Sequence, residues 1–133
     1  MGRRTSILIA LLLSACSTLP PTQQSLAGSY YRGDKLGYNV YLQLDASGAY
    51  SARWEGCLGI YGTARGRWNL RDELITFQPL VETDMMKKHL RQLHVIRQPL
   101  FGYVLVPDLQ DSYYRRHGPD EYSAFHKEPV AQR

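Results

Sequence analysis

Apolar and polar residues alternate along several short stretches of this chain, and the alternation limits its fold more than any other feature. In residues 40–44 and again in residues 50–54, the apolar side chains stand at every second position. A period of two places those side chains on one face of a β-strand. The turn-forming residues 45–48 separate the two stretches. We therefore predict a β-hairpin here.

The same pattern continues along the rest of the chain and predicts about eight short strands. They cover roughly residues 29–31, 40–44, 50–55, 61–69, 74–77, 89–97, 101–106 and 122–127. Short strands with regular turn signals indicate a sandwich or an up-and-down barrel. We predict an all-β fold, an antiparallel up-and-down meander that closes into a small barrel. Helical spacing in residues 84–93 and the segment 108–116 adds one or two short helices.

Aromatic residues on the predicted inward face are the candidate ligand contacts. Tyr50, Trp54 and Trp68 share the face of the apolar residues, and Gly62 and Gly66 lie on the same face of the fourth strand. Glycine inside a strand marks a bend or a place where a bulky neighbour packs on the backbone. The three aromatic residues therefore either fill a core or line a small pocket, and packing is the favoured interpretation.

The start of the chain resembles a bacterial lipoprotein precursor. Arg3 and Arg4 form a positive segment before the apolar residues 7–13, and Leu13-Ser14-Ala15-Cys16 matches the lipobox that precedes cleavage. The apolar run is much shorter than the roughly 18 residues of a membrane-spanning helix. The alternative is an ordinary secretory signal in which Cys16 lies near the cleavage site by chance.

The lipoprotein resemblance implies a location and a domain plan. Residues 1–15 are the signal peptide, 16–25 a lipidated cysteine and flexible tether, 26–128 the barrel domain and 129–133 a tail. The membrane is then a partner through lipid, such as palmitate, on Cys16. Ser17 after that cysteine implies the outer membrane, with the domain facing the periplasm. More than one acyl chain is needed for stable anchoring.

Two further resemblances concern the barrel itself. Gly28-Ser29-Tyr30 is similar to the Gly-x-Trp segment that opens lipocalin-like barrels, with Tyr30 in place of tryptophan. A second pattern resembles small bacterial envelope domains, in which an aromatic strand and a Cys-x-Gly turn precede a Gly-x-Trp strand. It comprises Trp54, Cys57, Gly59, Gly62, Gly66-Arg67-Trp68 and residues 74–79. Both imply a small lipocalin-like barrel of the cell envelope.

The remaining reactive side chains do not form a recognisable catalytic or metal motif. Cys57 is the second of two cysteines, and we predict that it is a buried, unreactive thiol. The histidines have no metal-binding spacing, and His89 and His94 are predicted to point to opposite faces of one strand. Nucleophile elbows, phosphate loops and dinucleotide fingerprints are lacking in the sequence. We predict no enzyme, cofactor or metal.

The charge balance argues against a nucleic-acid partner. The net charge of the chain is +4, and Arg3 and Arg4 of the predicted signal peptide supply two of these charges. The paired basic residues Lys87-Lys88 and Arg115-Arg116 are predicted to be solvated rather than parts of a basic face.

Two classes of function remain open after these exclusions. The first is a structural or protein-interacting envelope lipoprotein, in which arginines and tyrosines such as Tyr41 and Tyr61 form an outer face that suits amphipathic or anionic partners. The second is a binding module for a small apolar or amphipathic ligand, because an eight-stranded barrel is just wide enough for one. A cavity lined by Tyr50, Trp54 and Trp68 would favour the second class.

Overall fold

A computed structural model describes residues 19–99, 102–120 and 122–130 of the protein. Cys16, the predicted signal peptide and the end of the predicted tail lie outside these described residues.

Eight antiparallel strands form a closed barrel in which each strand pairs with its neighbour in the chain and the last pairs with the first. The predicted all-β up-and-down barrel is confirmed. The strands are β1 (Gly28–Gly33), β2 (Asn39–Leu44), β3 (Ala49–Gly56), β4 (Gly59–Arg71), β5 (Leu74–Glu82), β6 (Gln92–Gln98), β7 (Gly102–Pro107) and β8 (Phe125–Lys127).

Along β1 to β4, alternate residues point into the barrel, as the period of two in the sequence predicted. Even-numbered residues of these strands point into the barrel, and the register keeps them level, as in the row Tyr30, Leu42, Ala52 and Ala64. On β5 and β6 the inward positions are odd-numbered, as Ile75 opposite Leu93 shows. The inward side chains form one continuous apolar core.

A short helix, α1 (Gln23–Leu26), packs at the end of the barrel where β2 turns into β3. Thr22 caps it reciprocally with Ser25, and Leu26 is fully buried in the core. The buried hydroxyl of Tyr30 donates a hydrogen bond to the Leu26 carbonyl at 2.7 Å. Part of the segment predicted as a flexible tether is therefore folded against the barrel.

The segment between β5 and β6 closes the other end, and it is not the helix that the spacing predicted. Only a 3-10 turn, Asp84–Met86, forms there. Asp84 and Lys88 have φ angles of 45° and 60°, which a right-handed helix does not contain. Met86 and Leu90 are buried because the chain hooks across the barrel end, and Leu93 already belongs to β6.

The second predicted helix is present on the outside of the barrel. A 3-10 turn, Asp108–Gln110, leads into α2 (Asp111–His117). Tyr114 of this helix packs on a small second cluster formed by the outward residues Val104 and Val106 of β7 together with Ala124. Within the described ranges, no helix is long and apolar enough to cross a membrane.

Candidate functional site

Two of the three aromatic residues singled out in the sequence are parts of a filled core. Tyr50 and Trp68 are buried, at 4% and 2% exposure. The rings of Tyr50 and Phe77 meet edge-to-face at 4.7 Å, and the Trp68 indole donates a hydrogen bond to the Asp45 carbonyl at 2.8 Å. These contacts fix both rings as packing residues.

Trp54 differs from the other two because it lies at the end of the barrel and is only partly buried. The Tyr38 ring meets it edge-on at 4.7 Å, and the His89 ring lies 4.9 Å away. Three cavities formed by described residues are lined by other side chains than Tyr50, Trp54 and Trp68. The pocket that would have favoured an internal ligand is not among them.

Gly62 and Gly66 are needed because backbone lies against them, rather than a tryptophan. A Cβ atom on Gly66 would lie 2.3 Å from the Gln78 carbonyl oxygen, and one on Gly62 would lie 2.7 Å from the Met86 amide nitrogen. The packing interpretation of these glycines is therefore right, but the neighbour is β5 at one and the 3-10 turn at the other.

A cleft of about 450 Å³ runs over the outer face of β1 to β4. Its wall combines the half-buried Tyr41 with the exposed guanidinium groups of Arg53 and Arg65. Arg53 lies over the Tyr41 ring at 4.4 Å and also pairs with Glu55 at 2.5 Å. The part of the predicted aromatic and arginine face around Tyr41 is thus present and concave. Tyr61 lies elsewhere, with its hydroxyl 3.4 Å from the Leu58 amide nitrogen in the turn between β3 and β4.

Cys57 is exposed, so the prediction of a buried thiol is wrong. The residue stands in the tight turn between β3 and β4, which leaves the end of the barrel and has no core to enter. Its Sγ lies 3.6 Å from the Leu36 carbonyl oxygen in the neighbouring turn.

The four histidines lie in four different surroundings. His89 contacts Arg32 in the turn before β6, so it is not on the strand where the sequence placed it. His94 pairs with Asp108, while His117 and His126 bond to backbone carbonyls. Over the described residues, no group of three or more potential metal-ligating side chains comes together.

A polar cluster at the barrel end was missed by the sequence analysis. Arg32 points inward from β1 and is only 4% exposed. It donates a hydrogen bond to the Tyr38 hydroxyl, and its Nη2 lies 3.3 Å from His89 Nε2. The rings of Phe125 and Tyr38 lie 5.0 and 5.4 Å from its guanidinium carbon. The sequence does contain a signal for this cluster, because Arg32 is an even-numbered residue of β1 and the even-numbered residues of that strand point inward.

Burial also sets the protonation of this cluster. Loss of solvent, and then the positive charge of Arg32, lowers the pKa of His89 from 6.5 to about 4. The imidazole is therefore neutral near pH 7 and can accept the hydrogen bond from Arg32. In the core, burial raises the pKa of Tyr50 to about 12, so this hydroxyl is also uncharged.

No protein-family model, curated protein or solved structure matches this chain. The resemblances to lipoprotein precursors and to lipocalin-like envelope domains therefore rest on the sequence motifs alone.

Proposed function

We propose that this chain is an exported lipoprotein that is anchored on the inner leaflet of the outer membrane through lipid on Cys16. We propose further that its barrel is a non-catalytic docking module for an envelope protein. The lipobox motif supports the anchor, since Leu13-Ser14-Ala15-Cys16 follows a short apolar run. The helix α1, which packs against the barrel, begins seven residues after Cys16, so a lipid on Cys16 would hold the barrel near the membrane surface.

The observation that carries the docking role is the contrast between a filled interior and a cleft outside. Leu26 lies at one end of the core and Met86 at the other, and the rings of Tyr50 and Trp68 pack in the same core. The outer cleft instead exposes hydroxyl, amide, aromatic and guanidinium groups to solvent. Tyrosine and arginine are the residues most enriched at protein interfaces.

The charges in the cleft indicate what the partner presents. Arg65 is exposed and forms no ion pair with another described residue, while Arg53 is only partly compensated by Glu55. Glu128 also lines the cleft, so two arginines face one carboxylate there. Arg67, beside them on the same face of β4, donates a hydrogen bond to the Ser47 carbonyl. A partner segment with carboxylate groups matches this surface, and such complementarity sets the specificity and the rate of docking.

Site-specific photocrosslinking in cells tests this proposal. A photoreactive amino acid at Tyr41 is expected to capture one envelope protein, whereas the same amino acid at the exposed Tyr113 on α2 captures none. Reversing the charge with Arg65→Glu removes the Tyr41 product, because it places like charges across the interface. Equal products from both positions, or a product that survives Arg65→Glu, contradicts the proposal.

A further inference from the structure

The end of the barrel holds a positive charge for which the described residues supply no counter-ion. Arginine stays protonated in proteins, so the Arg32 guanidinium is charged although only 4% of the residue is exposed. The ion pairs of the described residues involve Arg53, Arg91, Arg115 and His94, and none of them includes Arg32. Contacts with two aromatic rings compensate only part of the cost of burying such a charge.

Two hydrogen-bond donors in the same cluster find no acceptor among the described residues. The Nε–H of Arg32 and the indole N–H of Trp54 are both buried, and no described group accepts a hydrogen bond from either. Both side chains contact Tyr38 and His89, so they belong to one small cluster. Native proteins rarely leave such donors unpaired, and an unmade bond to a buried donor is costly.

The groups around these donors define what satisfies them. An anion supplies the missing charge and the missing acceptors together. Guanidinium N–H groups match the two oxygens of a carboxylate. His89 is neutral, so one negative charge balances the site, and the rings of Phe125 and Trp54 provide an apolar wall for the rest of the molecule.

We propose that the Arg32 guanidinium and the Trp54 indole N–H form a binding site for the carboxylate of a small amphipathic molecule at this end of the barrel. The site is separate from the outer cleft and does not depend on the docking function. Tyr38, Trp54 and His89 are each only partly buried, so this end of the barrel is in contact with solvent. The Tyr38 hydroxyl, which now accepts from Arg32, is the group that an entering carboxylate displaces.

Indole N–H resonances report on this site directly. The full-length chain, ¹⁵N-labelled and held in a non-ionic detergent, is titrated with sodium benzoate near pH 7. The Trp54 resonance is expected to shift in a saturable manner, while the Trp68 resonance stays unchanged because its N–H already bonds to Asp45. Arg32→Gln is expected to weaken binding by about tenfold or more, and Arg116→Gln, which removes an exposed charge on α2, leaves it unchanged.

Other solutes separate the carboxylate from its alternatives. Benzamide has the same shape without the charge, and it is expected to give no shift. Chloride is spherical and inorganic phosphate carries more charge than a carboxylate. Both are expected to bind at least about tenfold more weakly than benzoate. A Trp54 resonance that does not move with benzoate up to about 50 mM overturns the proposal, as does an equal response to benzamide or chloride.

The wild-type titration decides the question even if Arg32→Gln fails to fold. Arg32→Lys then serves as the second variant, since it keeps a positive charge but loses the planar set of N–H donors. We expect it to fold and to bind benzoate about tenfold more weakly. Unchanged benzoate affinity in Arg32→Lys contradicts the role given to the guanidinium.

Discussion

Arg32 and His89 share a contact inside the aromatic end of the barrel, and the two side chains respond differently to pH. The arginine stays charged throughout, whereas the imidazole is neutral near pH 7. Protonation of His89 would place two positive charges 3.3 Å apart in a half-buried site. The stability of the fold is therefore expected to depend on the protonation of this one histidine.

Acidification should destabilise the protein through His89. Its pKa is about 4 in the folded state and near 6.5 when unfolded, so the unfolded state binds more protons between these values. Stability is then greatest above pH 6.5 and falls as the pH drops towards about 4, by roughly 1–2 kcal/mol after allowance for solvent screening. Urea unfolding at a series of pH values measures this loss.

Two histidine variants show whether the loss belongs to this site. His89→Gln is expected to remove it, while His117→Gln, at an exposed position on α2, should retain it. If wild type and His89→Gln lose the same stability over this range of pH, the assignment to His89 is wrong.

At the residue scale, the sequence predicted burial correctly for residues whose burial follows from an inward position on a strand. Tyr50 and Trp68 stand at inward positions and are buried, as expected. Arg32 stands in the same phase on β1 and is also buried, although a charged side chain is usually exposed. Cys57 was judged by the usual burial of cysteine, although its place in a tight turn leaves it nothing to pack against.

At the scale of elements, β4 and the turn after β5 depend on each other through a glycine. The backbone of Thr83 to Met86 lies so close to Gly62 that a Cβ atom there would be 2.7 Å from the Thr83 carbonyl oxygen. Backbone cannot move aside as the end of a flexible side chain can. The 3-10 turn can therefore lie against β4 at this end of the barrel because residue 62 has no side chain.

Replacing Gly62 by alanine tests this dependence. We expect Gly62→Ala to lower the free energy of unfolding by about 1–3 kcal/mol, because the turn must shift and Met86 must leave its buried position. Gly37→Ala is the matched control, since its nearest contact would be Cys57 Sγ at an ordinary 3.7 Å. Urea unfolding that finds Gly62→Ala as stable as Gly37→Ala would show that the close approach does not matter.

Elements that repeat a simple period were predictable, and those that depend on tertiary contact were not. All eight strands were found because alternation and turn residues are local signals, although β4 and β5 extend further than predicted. The spacing of Met86, Leu90 and Leu93 suggested a helix because a period cannot distinguish a helix from a hook across a barrel. The site around Arg32 joins residues from four separate segments, so no local motif marks it.

For the whole molecule, the filled interior and the predicted lipid anchor together favour a barrel that binds partners at its surface. The inward side chains form a core with Leu26 and Met86 at its two ends. We propose that recognition takes place at the outer cleft and at the polar end. A lipid on Cys16 would hold both surfaces close to the membrane, where an envelope partner is met at high local concentration.

Metabolic labelling with palmitate is the most direct test of the lipoprotein proposal on which this account depends. The chain has two cysteines, Cys16 and Cys57, so each serves as the control for the other. Wild type and Cys57→Ser are predicted to incorporate the label, and Cys16→Ser to incorporate none. Equal labelling of Cys16→Ser and wild type would contradict the lipid anchor and the envelope location.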